Sequence, residues 1–247
     1  MQSQSASPAL QMWPGASETP VTAVVLVLPG GRSRSHGAGH RFRLAYRRML
    51  PFARTLRGRG GPRGVEVAVL RYRYRGWNEP DLDPVADARW ALAELHERRP
   101  GAPVVLLGHS MGGRVAFRVA DDPAVVAVCA LAPWTEPGEP VLALSGSTVL
   151  IAHGDREHMT DPRLSLEFAR RATHCAAGVA RFAVHGDGHA MLRRAADWTA
   201  LVVGFVLGVL DVEPMPDYLA NALHDTSADS LVAPLPALGD RVHGELR

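Results

Sequence analysis

In residues 104–117, VVLLGHSMGGRVAF, four aliphatic residues run into Gly-His-Ser-Met-Gly and then directly into an amphipathic segment. A chain that passes from buried strand to helix within five residues must turn sharply, and only small neighbours tolerate the crowding. Gly108 and Gly112 supply the room, which leaves Ser110 at the apex in a strained conformation with Oγ projecting outward. This G-x-S-x-G elbow, strand before and helix after, is how a serine is presented as a nucleophile at the top of a sheet. The bland alternative is a Gly/Ser turn that fits the pattern by chance. Four apolar residues leading straight into the turn weigh against it.

Outward from the elbow, aliphatic or β-branched runs predict strands at 21–28, 65–74, 103–107, 125–131, 148–152 and 179–184. A continuous apolar run such as VTAVVLVL is how a strand covered on both faces reads. Between the strands, three- and four-residue apolar spacing predicts helices at 44–56 (kinked near Pro51), 84–98, 112–120, 162–172 and 191–210. Asp83 and Asp161, each followed by proline, are the expected N-caps of the second and fourth of these. Strands alternating with helices imply parallel β-α-β units, hence a three-layer α/β/α sandwich with a mostly parallel, doubly wound sheet. Residues 1–20 are expected to be a flexible segment with one edge strand around 10–13. Residues 21–211 are expected to form the catalytic domain, and residues 212–247, rich in Pro and Asp, a tail.

Composition narrows the function classes. No apolar run approaches the roughly 18 residues of a membrane span; the longest candidate, 200–210, reads as a buried helix. There is no basic segment followed by an apolar run at the N-terminus, and two cysteines make no disulfide framework, so a cytoplasmic location is expected. All 27 basic residues are arginine, the mark of a GC-rich bacterial genome. The net charge is only +2, but from Arg32 to Arg75 there are thirteen arginines and one acid, Glu66. These arginines spread over loop, helix and strand, so they read as a solvated rim, and no nucleic-acid partner is expected. His36 and His40 have metal-like spacing without an accompanying acid or cysteine, so no metal site is expected. Pro29-Gly30-Gly31 is no phosphate loop, because no lysine follows.

A serine hydroxyl needs a histidine base, and that histidine needs a carboxylate to orient it. In this architecture the three come in the order Ser, acid, His, each at the C-terminal end of a strand. After the strand at 148–152 comes His153-Gly-Asp155-Arg-Glu157-His158; after the strand at 179–184 comes His185-Gly-Asp187-Gly-His189. His189 follows a glycine-rich turn and precedes a helix, so its ring can swing toward Ser110. His109, inside the elbow, is expected to pack and not to react.

Through LPGG, GHSMGG, HGDRE and GDGHAML, over roughly residues 21–210, the chain resembles the α/β-hydrolase family, particularly small bacterial esterase-like members that lack a cap domain. The resemblance implies the fold, a nucleophile at Ser110 and a general base at His189. It also implies an oxyanion hole from the backbone N–H of Met111 and of a residue in the loop Pro29–Arg32. Gly31 is the choice there, although proline stands where many relatives carry the histidine of a His-Gly pair. In relatives the acid usually stands three residues after the glycine that closes its strand, which selects Glu157. Asp155, one residue past that glycine, is the competitor.

Only about fifteen residues, 132–146, separate the strand after the elbow helix from the acid strand, too few for a cap domain. The site is therefore expected to be open or covered by loops, with Trp134 and Trp77 near it. Arg32, with Arg34, is the expected contact for an anionic substrate group. The resulting expectation is a serine hydrolase of carboxylic esters with small or exposed acyl groups, using no cofactor. The alternatives are a thioesterase by the same chemistry, or a non-catalytic protein of this fold that binds a ligand or partner.

Overall fold

The computed structural model describes residues 6–15, 19–225, 227 and 230–238. Seven strands, β1 Ala9–Trp13, β2 Ala23–Leu28, β3 Val65–Arg71, β4 Val104–His109, β5 Val125–Leu131, β6 Thr148–Gly154 and β7 Gly178–Val184, form one sheet. Their order is β1-β3-β2-β4-β5-β6-β7. Only β1, on β3, is antiparallel; the other pairings are parallel. The helices are α1 Leu44–Gly60, α2 Asp83–Arg98, α3 Met111–Val119, α4 Pro162–Ala172, α5 Ala195–Val209 and α6 Asp217–His224.

The aliphatic runs are buried along their whole length in β2 and β4. Alternation then sends successive side chains to opposite faces. Val24, Leu26, Val104 and Leu106 pack with Leu92, Phe117 and Phe168 of α2, α3 and α4. Val25, Val27, Val105 and Leu107 pack with Met49 of α1 and Phe205 of α5. Two apolar layers thus hold helices on both sides of the sheet, as the alternating pattern of the sequence implies.

The chain runs from β2 outward to β3 and then returns past β2 to β4, so the direction of winding reverses at the β2–β4 pair. Loops leaving the carboxyl ends of two such strands part there and open a crevice. Leu28 pairs with Gly108 at that end of the sheet. The loop Pro29–Arg32 and the elbow at Ser110 therefore emerge side by side.

Several local expectations need correction. Asp83 does not cap α2: the N-cap is Leu82 in a left-handed conformation (φ 49°). The Asp83 carboxylate instead accepts from Asn78 Nδ2 at 2.8 Å and pairs with Arg73 at 3.0 Å. Asp161 does cap α4, accepting the Arg163 N–H at 2.9 Å. α5 begins at Ala195, four residues later than expected, because Met191 adopts φ 53° and the chain before it is held by side-chain hydrogen bonds described below.

The flanks also pack. β1 is a full edge strand, and Tyr46 of α1 donates to Gln11 Oε1 at 2.8 Å. Beyond residue 211, Leu219 of α6, Leu231 and Leu235 are buried. Ala183 of β7 donates to Ala233 O at 2.9 Å and accepts from Leu235 N–H at 2.8 Å. The C-terminal segment thus covers the exposed edge of β7, the usual remedy for unpaired strand groups. Residues 1–5, 16–18, 226, 228–229 and 239–247 of the expected flexible segment and tail lie outside the described residues. No helix among the described residues is long and apolar enough to cross a membrane.

Candidate active site

Ser110 sits between β4 and α3 with φ 55° and ψ −120°, a conformation that a side chain rarely adopts without support. Support comes from four backbone hydrogen bonds. Ser110 N–H donates to Leu131 O at 3.0 Å, and Ser110 O accepts from the N–H groups of Gly113, Arg114 and Trp134 at 3.0, 3.3 and 3.1 Å. The flanking glycines are sterically required. A β-carbon at Gly108 would collide with the Gly112 carbonyl, and one at Gly112 with the Leu28 carbonyl.

His189 reaches this elbow from the loop after β7. Its Nδ1 donates to Glu157 Oε2 at 2.8 Å, which leaves Nε2 free to accept a proton. Glu157 is buried, and its other oxygen, Oε1, accepts from the N–H groups of His158 at 2.7 Å and Met159 at 2.6 Å. Burial alone would raise this carboxyl, but the hydrogen bonds from His189, Met159 and His158 outweigh it and hold the pKa at about 2. The carboxylate is therefore ionised at any working pH and fixes the imidazole tautomer. Asp155 is placed elsewhere: exposed, it accepts from His185 Nδ1 at 2.9 Å and Gly186 N–H at 2.8 Å.

Two further residues position His189. The ring of His109 lies 4.7 Å from that of His189, and its Nε2 is 3.0 Å from the His189 carbonyl oxygen. A carbonyl can only accept, so His109 Nε2 carries the ring proton. Burial, reinforced by the neighbouring His189, pushes the pKa of His109 down to about 3, so it stays neutral. Asp187 ties the same loop to α5. Its carboxylate accepts from the N–H groups of Gly188 and Arg194 and from Trp198 Nε1, at 2.8, 2.9 and 3.0 Å. His109 was expected only to pack, and Asp187 had no assigned role; an aspartate two residues before His189 was the signal the sequence offered.

In the loop Pro29–Arg32, Arg32 N–H is committed to Arg75 O, and Arg32 O to Trp77 N–H, both at 2.8 Å. No acceptor among the described residues takes the N–H of Gly31 or of Met111. A β-carbon on Gly30 would stand 3.3 Å from Ser110 Cβ, and one on Gly31 would collide with the Met111 side chain. The two loops are therefore in contact, with uncommitted N–H groups on both. The Ser110 hydroxyl makes no hydrogen bond among the described residues.

A model of the alpha/beta hydrolase family matches residues 25–243. The chain belongs to the alpha/beta hydrolase family. Solved structures share the fold at low identity. An alpha-beta serine hydrolase homologue from Coxiella burnetii is 15% identical with a TM-score of 0.62, covering 82% of this chain and 93% of its own. Est1E from Butyrivibrio proteoclasticus with bound ferulic acid is 14% identical, TM-score 0.62, covering 83% and 96%. A serine hydrolase without lid from Xanthomonas campestris is 17% identical, TM-score 0.60, covering 84% and 90%. No curated protein matches the chain in sequence.

In this alpha/beta hydrolase the connection from β5 to β6 contains only a one-turn 3-10 helix, Leu142–Leu144, so no cap domain covers the elbow. Trp77 does not line the opening; it is 1% exposed and belongs to the core. The guanidinium of Arg114 lies against both Trp77 and Trp134, 4.2 and 4.6 Å from the ring centroids, and Glu139 holds it at 2.6 Å. Trp134 is half-buried, its N–H on the elbow and its indole against Arg114, with Nε1 donating to Glu136 at 2.6 Å. Arg32 and Arg34 are exposed. His36 packs edge-on against Tyr74.

Proposed function

We propose that the chain is a serine hydrolase that cleaves carboxylic esters of small or exposed acyl groups through an acyl-enzyme. The observation that carries this reading is the hydrogen bond from His189 Nδ1 to the buried Glu157 carboxylate, next to a serine held at a strained elbow.

The steps use only the chain's own groups. Ser110 Oγ attacks the ester carbonyl while its proton passes to His189 Nε2. Glu157 stabilises the imidazolium that forms, and it stays ionised while doing so. The carbonyl oxygen, now negative, is held by the N–H groups of Met111 and Gly31. Both are fixed before reaction, so no reorganisation opposes the developing charge. The imidazolium then protonates the departing alcohol, leaving Ser110 acylated. Water attacks the acyl group, gives its proton to His189, and the acid leaves as Ser110 recovers its hydrogen. A short loop in place of a cap suits small or exposed acyl groups, because little surface is available to enclose a long chain.

The test is labelling with a fluorophosphonate probe, with Ser110→Ala as the control, followed by 4-nitrophenyl esters of increasing chain length. Labelling that requires Ser110 and turnover that falls with chain length are the expected results. Absence of labelling in the folded parent would overturn the reading in favour of a non-catalytic binding protein. Parallel oxygen-ester and thioester panels separate esterase from thioesterase.

A further inference from the structure

Gly30 and Gly31, which border the elbow, also line a cavity of about 280 Å³ between the start of α1 and the segment after β3. Its basic lining residues are Arg32, His40, Arg43, Arg71 and Arg75, and no Asp or Glu lines it. Elsewhere in the described residues ten arginines hold ion pairs with carboxylates and eleven do not. None of these four does. Arg71 is occupied only by the carbonyls of Gly39 and Ser7, at 3.2 and 3.3 Å. Arg75 Nη2 donates to Ser35 Oγ at 3.2 Å, while its Nε is buried without a partner.

Gathered guanidinium groups repel one another, and a concave wall concentrates their field. A buried N–H without an acceptor costs free energy until one arrives. The repulsion falls when an anion with planar or branched oxygens enters, because a guanidinium fork grips a carboxylate or phosphate in two places. Leu44, Leu70 and Tyr46 supply apolar wall beside the charges. The volume lies at the lower end for ligand sites, so the group is short.

We infer that this cavity is an anion-recognition subsite, and that the preferred esters carry a carboxylate or phosphate a few atoms from the scissile bond. The inference rests on the ester-hydrolase reading for the bond that is cut, but not for the anion that is held.

The experiment has two arms. In the first, background-corrected kcat/KM is compared for 4-nitrophenyl hemiglutarate and the neutral 4-nitrophenyl hexanoate, in the parent and in Arg43→Gln and Arg75→Gln. The anionic ester should lead by about tenfold or more, and that ratio should collapse in the variants and shrink with salt. In the second, glutarate and propyl phosphate are titrated calorimetrically into Ser110→Ala protein. Saturable binding is expected, weakened about tenfold by Arg43→Gln or Arg75→Gln; the tighter probe identifies the head group. Arg43 is exposed at the start of α1, so its variant keeps the fold even if Arg75→Gln does not. If neither probe binds, the subsite is overturned whatever the ester rates. If the probes bind while both esters stay inert and Ser110 stays unlabelled, the hydrolase reading fails and the anion site stands.

Discussion

The loops after β6 and β7 carry four carboxylates, and each is met by donors; Asp161 takes the backbone N–H and the guanidinium of Arg163. Glu157 has His189 and the N–H groups of His158 and Met159; Asp187 has two N–H groups and an indole; Asp155 has His185 and Gly186. The loops after β2 and β3 are the reverse. Arg73 there pairs with Asp83 and Asp87, but Arg32, Arg43, Arg71 and Arg75 around the cavity form no ion pair, and the N–H of Gly31 meets no acceptor among the described residues. A saturated carboxylate is locked in place, and Glu157 thereby fixes His189, which the proposed proton transfer requires. An unsaturated donor waits for an oxygen from outside. Position is built on one flank of Ser110 and reception on the other.

Substitutions on the two flanks should therefore fail differently. The largest effect belongs between them: Ser110→Ala should lower kcat on 4-nitrophenyl acetate by about 10⁴-fold or more while leaving circular dichroism and Tm unchanged. Residual turnover within tenfold of the parent would move the nucleophile elsewhere.

Next come the two acids on the saturated flank. Glu157→Gln should cost about 10²- to 10⁴-fold in kcat, since an amide cannot stabilise the imidazolium. Asp155→Asn, remote from His189, should stay within a few-fold. The opposite ranking would transfer the orienting role to Asp155.

Asp187→Ala tests position without touching the reacting groups. It strands two backbone N–H groups and the indole of Trp198, for a loss of about 2–3 kcal/mol and a lower Tm. The loss of kcat should exceed any rise in KM. Asp187→Asn, which keeps an acceptor, should recover part of both losses; a drop in Tm alone would make Asp187 merely structural.

The smallest effect is in pH dependence. His109 titrates near its ordinary pKa of 6.5 when unfolded but at about 3 when folded. Its contribution to stability is complete above pH 6.5 and is lost as pH falls toward 3, because the unfolded chain binds the proton first. His153, pushed down to about 4 by burial, acts in the same direction. Urea midpoints from pH 7 to 4.5 should fall, and His109→Gln should reduce the slope by up to about 1.4 kcal/mol per pH unit. An unchanged slope would mean that His109 is not held neutral.

Much of this was legible in the chain itself. Runs of Val, Leu and Ala bounded by Gly and Pro specify strands whose both faces are buried, and their alternation with helical spacing leaves a parallel, doubly wound sheet as the way to cover them. The elbow was legible because its glycines are a local steric requirement, written in five consecutive residues. Local signals misled where a side chain was claimed by a distant partner. Asp83 looks like a cap but is taken by Asn78 and Arg73, and α5 starts late because Asp187 holds the chain before it. Trp77 reads as an exposed loop aromatic yet is buried beside Arg114, a residue 37 positions away in sequence.

By itself, then, the sequence determined the sheet, the elbow and the order of serine, acid and histidine, because each follows from short-range periodicity or from crowding between near neighbours. Only the tertiary structure decided which of two acids two residues apart meets His189. It alone gathered four arginines from the β2 loop, the start of α1 and the end of β3 around one cavity with no acid among them. Both are matters of long-range register: where strands end relative to one another sets which loops meet, and no local pattern encodes that distance.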